Sequence, residues 1–225
     1  FICQELQSFM QSLDEDERTL PSQSKDKSIA GDMKTNKASS SAASSGPKNI
    51  QILVLGNGGA GKTSFINALQ GKFDTNVRPT IGFRPTNMLM GEDKVKFYDL
   101  GGSVKIRGIW PEYFHDIHGI IYLVDSSVKG NEEASLESVQ LFKDTLSHST
   151  LRDKPLLLVA NKQDAPGALS ADDIRELYAL ETLLPTSPYH VAETSSSCLS
   201  SSADEPEVIE QEADPRVEKS VEWLL

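Results

Sequence analysis

The run IQILVLGNGGAGKTSFINALQG, residues 50 to 71, decides how this chain is read. Residues 50–56 are a short apolar strand, and they run into a glycine-rich turn. A helix follows, with Phe65, Ile66 and Leu69 on one side and Gly71 as its stop. The turn GNGGAGKT, Gly56 to Thr63, matches G-x-x-x-x-G-K-[ST] in the strand–turn–helix context that the pattern requires. Its chemistry is anion binding. Gly58, Gly59 and Gly61 let the backbone curl so that its amides face phosphate oxygens, and the helix N-terminus adds its dipole. The expected contacts to a nucleotide are Asn57, Gly58, Gly59, Ala60, Gly61, Lys62, Thr63 and Ser64. Among them Lys62 reaches the β- and γ-phosphates, and the Thr63 hydroxyl ligates Mg²⁺.

Downstream, TNMLM (86–90) and KVKFYDL (94–100) alternate and are separated by GED, which predicts a hairpin. GIIYLVD (119–125) and PLLLVA (155–160) are continuous apolar runs, as strands buried on both faces of a parallel sheet should be. Between them Leu136, Val139, Phe142 and Leu146 recur at helical spacing. Strand alternating with helix gives an α/β domain with crossover connections.

The choice of base comes from NKQD, Asn161 to Asp164, directly after an apolar strand. A carboxylate there accepts from guanine's N1–H and exocyclic amine, which adenine cannot match, and an unpaired Asp164 penalises the wrong base. Asn161 braces the base edge and the neighbouring loops, while the Lys162 stem covers the ring. DLGG (99–102) ends a strand, so Asp99 holds Mg²⁺ through a water and the Gly102 amide meets the γ-phosphate. In RPTIGF (78–83), Thr80 ligates Mg²⁺ only when the γ-phosphate is present. The cofactors implied are GTP or GDP with Mg²⁺.

The flanks differ in composition. Residues 1–13 place Ile2, Leu6, Phe9, Met10 and Leu13 on one face of a short helix, read either as an amphipathic docking element or as the end of an upstream domain. Residues 14–47 are rich in Ser, Lys, Asp and Glu and read as a flexible linker. The nucleotide-binding domain then occupies 48–225, interrupted at about 197–214 by a serine-rich, then acidic insertion. Val217, Val221, Trp223 and Leu224 mark a final helix that packs back on the sheet. A net charge of −11 disfavours nucleic acid and anionic lipid as broad electrostatic partners. No apolar run approaches the ~20 residues that span a bilayer. Two distant cysteines, Cys3 and Cys198, argue against a disulfide framework and fit a reducing cytoplasmic compartment. The sequence opens on Phe1, so no N-terminal lipidation signal is legible in it, and it sets no oligomeric state.

IQILVLGNGGAGKTSFINAL, RPTIGF, YDLGGSVKIRGIWPEYF, GIIYLVDSS and LLLVANKQDAPGAL together resemble the Arf family of small GTPases over about residues 48–194. The resemblance implies a Ras-like P-loop domain with a six-stranded, mostly parallel sheet and helices on both faces. It implies that Phe83, Trp110 and Tyr113 lie in the switch surface that effectors read, a reading favoured over the alternative that Trp110 and Phe83 are core aromatics. It also implies that residues 84–100 form an interswitch hairpin. KIRGIW is most similar to the cilium-associated Arf-like thirteen branch, whose members act as exchange factors for another Arf-like GTPase. Cilium or flagellum thus joins the cytoplasm as an expected location, and Cys3 becomes a candidate for lipidation and peripheral membrane association.

Two departures matter. Most Arf proteins carry glutamine after DxGG to orient the attacking water, and here Ser103 stands in its place. A serine hydroxyl is too short for that task, so slow intrinsic hydrolysis is expected unless a partner supplies the missing group. The base-covering run is also irregular: Thr194, Ser195 and Ser196 take its position, with the Ser196 amide expected on the guanine carbonyl.

Overall fold

Strands Gly119–Asp125 (β4) and Leu156–Asn161 (β5) carry no exposed position, and both sit inside one sheet with a strand on either side. The computed structural model describes residues 47–72, 76–128, 130–196 and 214–225. The expected helix at 1–13, the linker before Pro47, both cysteines and the insertion up to residue 213 lie outside the described residues. Pro47–Leu225 forms one compact unit.

The other strands are Asn49–Gly56 (β1), Phe83–Met90 (β2), Asp93–Leu100 (β3) and Tyr189–Glu193 (β6), in the order β2-β3-β1-β4-β5-β6. Only β2 runs antiparallel, pairing with β3 from Phe83↔Leu100 to Met90↔Asp93. The hairpin turn is thus two residues, Gly91 and Glu92, and Asp93 belongs to the strand. β6 carried no strand signal because only Val191 of its five residues is buried, as an edge strand allows.

Helices cover both faces. Lys62–Leu69 (α1) and Pro215–Glu222 (α6) pack over Ile52, Val54, Phe97, Ile121 and Val159. The opposite face holds Leu53, Tyr122, Val124 and Leu158 under Glu132–Leu146 (α3) and Ala171–Leu177 (α4). Phe142 of α3 meets the edges of Tyr122 and Tyr178 at centroid distances of 4.9 and 5.1 Å. Such pairs each add about 0.5–1.5 kcal/mol beyond burial.

Two expected helix faces each differ from expectation at one residue. In α3, Val139 and Phe142 face the sheet, but Leu136 is 42% exposed and Ser135, Ser138 and Thr145 are buried instead. The small hydroxyls satisfy themselves: Ser138 bonds the Tyr178 hydroxyl at 2.7 Å, and Thr145 donates to the Leu141 carbonyl. In α6, Val217 and Val221 are buried, as is Leu224 beyond it, whereas Trp223 is 41% exposed and stacks on His190. No helix among the described residues is long and apolar enough to cross a membrane.

Candidate functional site

The sequence-marked polar sites lie where parallel strands end, except Thr80, which stands in the loop before β2. β1 delivers Gly56, β3 delivers Gly101 and Gly102, β4 delivers Asp125, β5 delivers Asn161, and β6 is followed by Thr194–Ser196. β3 and β4 flank β1 on its two sides, so the chain crosses over there, and in open α/β sheets that crevice is where ligands bind.

The phosphate end is a cleft of about 220 Å³ lined by Gly58, Gly59, Gly61, Lys62, Thr63, Ser64, Thr80, Gly102 and Ser103, with the loop 77–79. Lys62 is buried, and its Nζ donates to the carbonyls of Gly56 and Asn57 at 2.8 Å each. Burial lowers its pKa to about 8, against the attraction of Asp99 and with the repulsion of Arg107. Gly102 tolerates no side chain, because a Cβ would stand 2.3 Å from the Gly56 carbonyl and 2.5 Å from Lys62 Nζ. Gly61 is equally obligatory: its φ is +91°, and a Cβ would meet Asn161 Nδ2 at 2.2 Å. The two ends of the site are therefore built in contact.

Thr63, Thr80 and Asp99 converge although they come from three elements. The Thr63 hydroxyl donates to Asp99 Oδ2 at 2.6 Å, and the two threonine hydroxyl oxygens are 2.9 Å apart. Burial raises the Asp99 carboxyl, opposed by hydrogen bonds from Thr63 and Thr80 and by the charge of Lys62. Its Oδ1 is buried and has no partner. Among the described residues no group of three or more His, Cys, Asp or Glu could hold a metal. A cation here would draw on the two hydroxyls, an Asp99-bound water and phosphate oxygens, the all-oxygen set that suits Mg²⁺. The residues present fit it.

At the base end Asn161 is 1% exposed. Its Nδ2 donates to the Ala60 carbonyl at 2.9 Å, tying the base loop to the phosphate loop. Its Oδ1 accepts from the Thr194 hydroxyl and from the amide and hydroxyl of Ser196. The Ser196 amide, expected on a guanine carbonyl, is thus directed at Asn161. Lys162, with φ +66°, extends its Nζ to Asp125, and the Ser195 hydroxyl donates to Asp164. Asp214, read as the end of the insertion, caps α6 instead.

Ser103 is exposed at the rim of the cleft and precedes the short helix Val104–Arg107 (α2). Arg107 donates from Nε to the Gly102 carbonyl and pairs with Glu137 at 2.8 Å. The expectation for Trp110 needs correction. It is 2% exposed, and its Nε1 donates to the Gly101 carbonyl at 2.9 Å, so it is a core residue that pins the loop after β3. Tyr98 takes its place beside the other two aromatics: Phe83 and Tyr113 are 4.8 Å apart, and Tyr98 and Tyr113 6.2 Å. Strand alternation carried that signal, since buried Val95 and Phe97 turn Tyr98 to the opposite face. Phe83 is 45% exposed, with exposed Ile81 in the loop before it and exposed Val104 at the start of α2.

The family model of the ADP-ribosylation factor family matches residues 37–209. ADP-ribosylation factor-like protein 13B of Chlamydomonas reinhardtii is 38% identical over 135 residues, 60% of this chain and 25% of that protein. ADP-ribosylation factor-like protein 1 of Saccharomyces cerevisiae is also 38% identical over 135 residues, covering 60% of this chain and 72% of that one. The chain thus spans only a quarter of the first of these relatives. Among solved structures, the Arl6 small GTPase of Trypanosoma brucei, with the nucleotide analogue GppNp bound, superposes with a TM-score of 0.63 at 26% identity, over 78% of this chain and 95% of that one. With its six-stranded sheet, its phosphate cleft and a family match across most of its length, the chain belongs to the ADP-ribosylation factor family of small GTPases.

Proposed function

We propose that this chain is a Mg²⁺-dependent guanine-nucleotide switch with slow intrinsic hydrolysis, whose GTP form is a binding surface for a partner protein. The observation that carries the reading is the convergence of Thr63, Thr80 and Asp99 beside Lys62 in one cleft. Thr80 stands in the loop before β2, so a ligand that holds Thr80 also holds the segment leading to Phe83. Phe83, Tyr98 and Tyr113 then offer the aromatic contact area that partner surfaces favour. Bound Mg²⁺ would supply charge neutralisation at the β- and γ-phosphates. Lys62 anchors the phosphates, the Gly102 amide meets the γ-phosphate, and Asp164 selects guanine.

Ser103 sets the rate. It is exposed at the rim, and its carbonyl receives the amides of Ile106 and Arg107, which commits its backbone to starting α2. Its short side chain cannot span an attacking water and the transition state together. Similarity to the Chlamydomonas factor-like protein 13B supports the Arf-like thirteen branch. On that basis we propose exchange activity toward another Arf-like GTPase and residence in cilium or flagellum. Residues 48–225 would act as the GTPase domain behind the linker 14–47 and the helix 1–13, with Cys3 as a lipidation candidate.

Single turnover of GTP with Mg²⁺, compared between wild type and Ser103→Gln, tests the rate assignment. The expected result is a wild type that barely hydrolyses and a variant that gains about tenfold or more. Equal rates would mean that another group positions the water and that the chain is a conventional timed GTPase. Ser103 also favours a second reading, a scaffold in which GTP is permanently structural. Partner affinity that is identical in the GDP and GTP states would select it.

A further inference from the structure

The carboxylate of Asp214 has two separate jobs, one for each oxygen. Oδ1 accepts the Arg216 amide at 3.0 Å, which caps α6. Oδ2 reaches back 19 residues along the chain and accepts the buried Ser195 amide at 2.9 Å. Arg216 holds the carboxylate in place, its Nε 2.9 Å from both oxygens and its terminal nitrogen 2.7 Å from Oδ2. The Asp214 side chain is 3% exposed. A helix cap needs one acceptor oxygen, so capping accounts for half of this arrangement. The other half fixes the residue whose hydroxyl donates to Asp164 and whose successor bonds Asn161 through both amide and hydroxyl. The family match ends at residue 209, short of Asp214.

We propose that Asp214 is a positioning residue of the base pocket: by clamping the Ser195 amide it holds the 194–196 loop against Asn161 and Asp164, and so slows nucleotide release and sharpens guanine preference. The inference rests on the nucleotide-site reading above. Without Oδ2 the buried Ser195 N–H loses its acceptor, and a buried unpaired amide forces the loop to move toward water. Such a movement shifts the Ser195 hydroxyl away from Asp164, the group that distinguishes guanine from a base lacking its exocyclic amine.

Asp214→Ser separates the two jobs, because serine caps a helix as well as aspartate does but offers one oxygen. The full chain, loaded in turn with fluorescent guanosine and inosine diphosphates, is followed by dissociation in wild type, Asp214→Ser and Val221→Ala. Val221 is fully buried on the inner face of α6 and serves as the control for a loosened helix. Asp214→Ser should release the guanine nucleotide about tenfold faster and narrow the gap between the two bases. Val221→Ala should lower the melting temperature and leave the ratio of the two rates unchanged. Wild-type release kinetics in Asp214→Ser, or an equal narrowing in Val221→Ala, overturns the inference alone. A wild type that binds no guanine nucleotide overturns the site reading and the inference with it. Should Asp214→Ser not fold, hydrogen exchange at the Ser195 amide of the loaded wild type decides: slow exchange supports the clamp, and exchange at the rate of an open loop refutes it.

Discussion

Asn161 joins both halves of the proposed nucleotide site with a side chain of four atoms. Its amide nitrogen gives to Ala60 and its oxygen receives from Thr194 and Ser196, so the donor and the acceptor cannot be exchanged. Asn161→Asp keeps the shape but sets a carboxylate oxygen against the Ala60 carbonyl. Nucleotide-free protein should lose about 2–4 kcal/mol, through a lost hydrogen bond and a buried charge. Urea unfolding measures this, and a change under about 0.5 kcal/mol would show that the bridge is not formed in solution. A pH dependence follows from Asp214. Burial alone would raise its carboxyl, but hydrogen bonds from Arg216 and the Ser195 amide, with the Arg216 charge, outweigh burial and hold it below its ordinary value. A depressed folded value means that its stabilisation is full above the unfolded value of about 3.9 and is lost as pH falls through the folded one. The melting-temperature gap between wild type and Asp214→Asn should therefore be open at neutral pH and close in acid. A gap that stays constant with pH would rule out the carboxylate charge as its source.

Elements explain which parts of this architecture were legible. GIIYLVD and PLLLVA announced themselves because central parallel strands are buried on both faces, and the phosphate loop because its glycines and lysine leave few alternatives. α4 and β6 left little trace: α4 buries only Ile174, and β6 only Val191. Trp110 was ambiguous because an indole serves equally as a partner contact or as a core residue whose N–H finds a carbonyl. The Gly101 carbonyl, brought close by the turn after β3, decided it, and no local sequence pattern encodes that approach. The distinction is measurable. Trp110→Phe should cost about 1–3 kcal/mol by orphaning that carbonyl and leaving a void, as read from the urea midpoint. Phe83→Ala, at a half-exposed position, should leave stability within about 1 kcal/mol and abolish state-dependent partner binding. A stability loss at Phe83 as large as that at Trp110 would move Phe83 into the core and end its assignment to the partner surface.

For the molecule as a whole, the sheet acts as a rigid rack that presents loops at one end. Thr80 is the exception to that rigidity, since it sits in a loop and reaches the site by meeting Thr63 and Asp99 rather than by strand pairing. The same loop is tied to the next by the Gly101 amide, which donates to the Gly82 carbonyl at 2.9 Å. Whatever holds Thr80 therefore acts on the loops flanking both β2 and β3, and through them on Phe83 and Tyr98. Asp99 is the hub: it is buried, its carboxyl is raised by desolvation, and one oxygen is without a partner, so its charge is poorly compensated by protein alone. A divalent cation that neutralises that charge should bind cooperatively with the nucleotide, each stabilising the other by the same free energy. Chelating Mg²⁺ should then speed guanosine diphosphate release at least about tenfold, a coupling of ~1.4 kcal/mol. Asp99→Asn should abolish this sensitivity while raising the melting temperature of the nucleotide-free protein, because the buried charge is gone. Stopped-flow release with and without chelator, on both proteins, reads the coupling directly. Chelator sensitivity that survives intact in Asp99→Asn would place the cation elsewhere and leave the convergence of Thr63, Thr80 and Asp99 as a structural hydrogen-bond cluster.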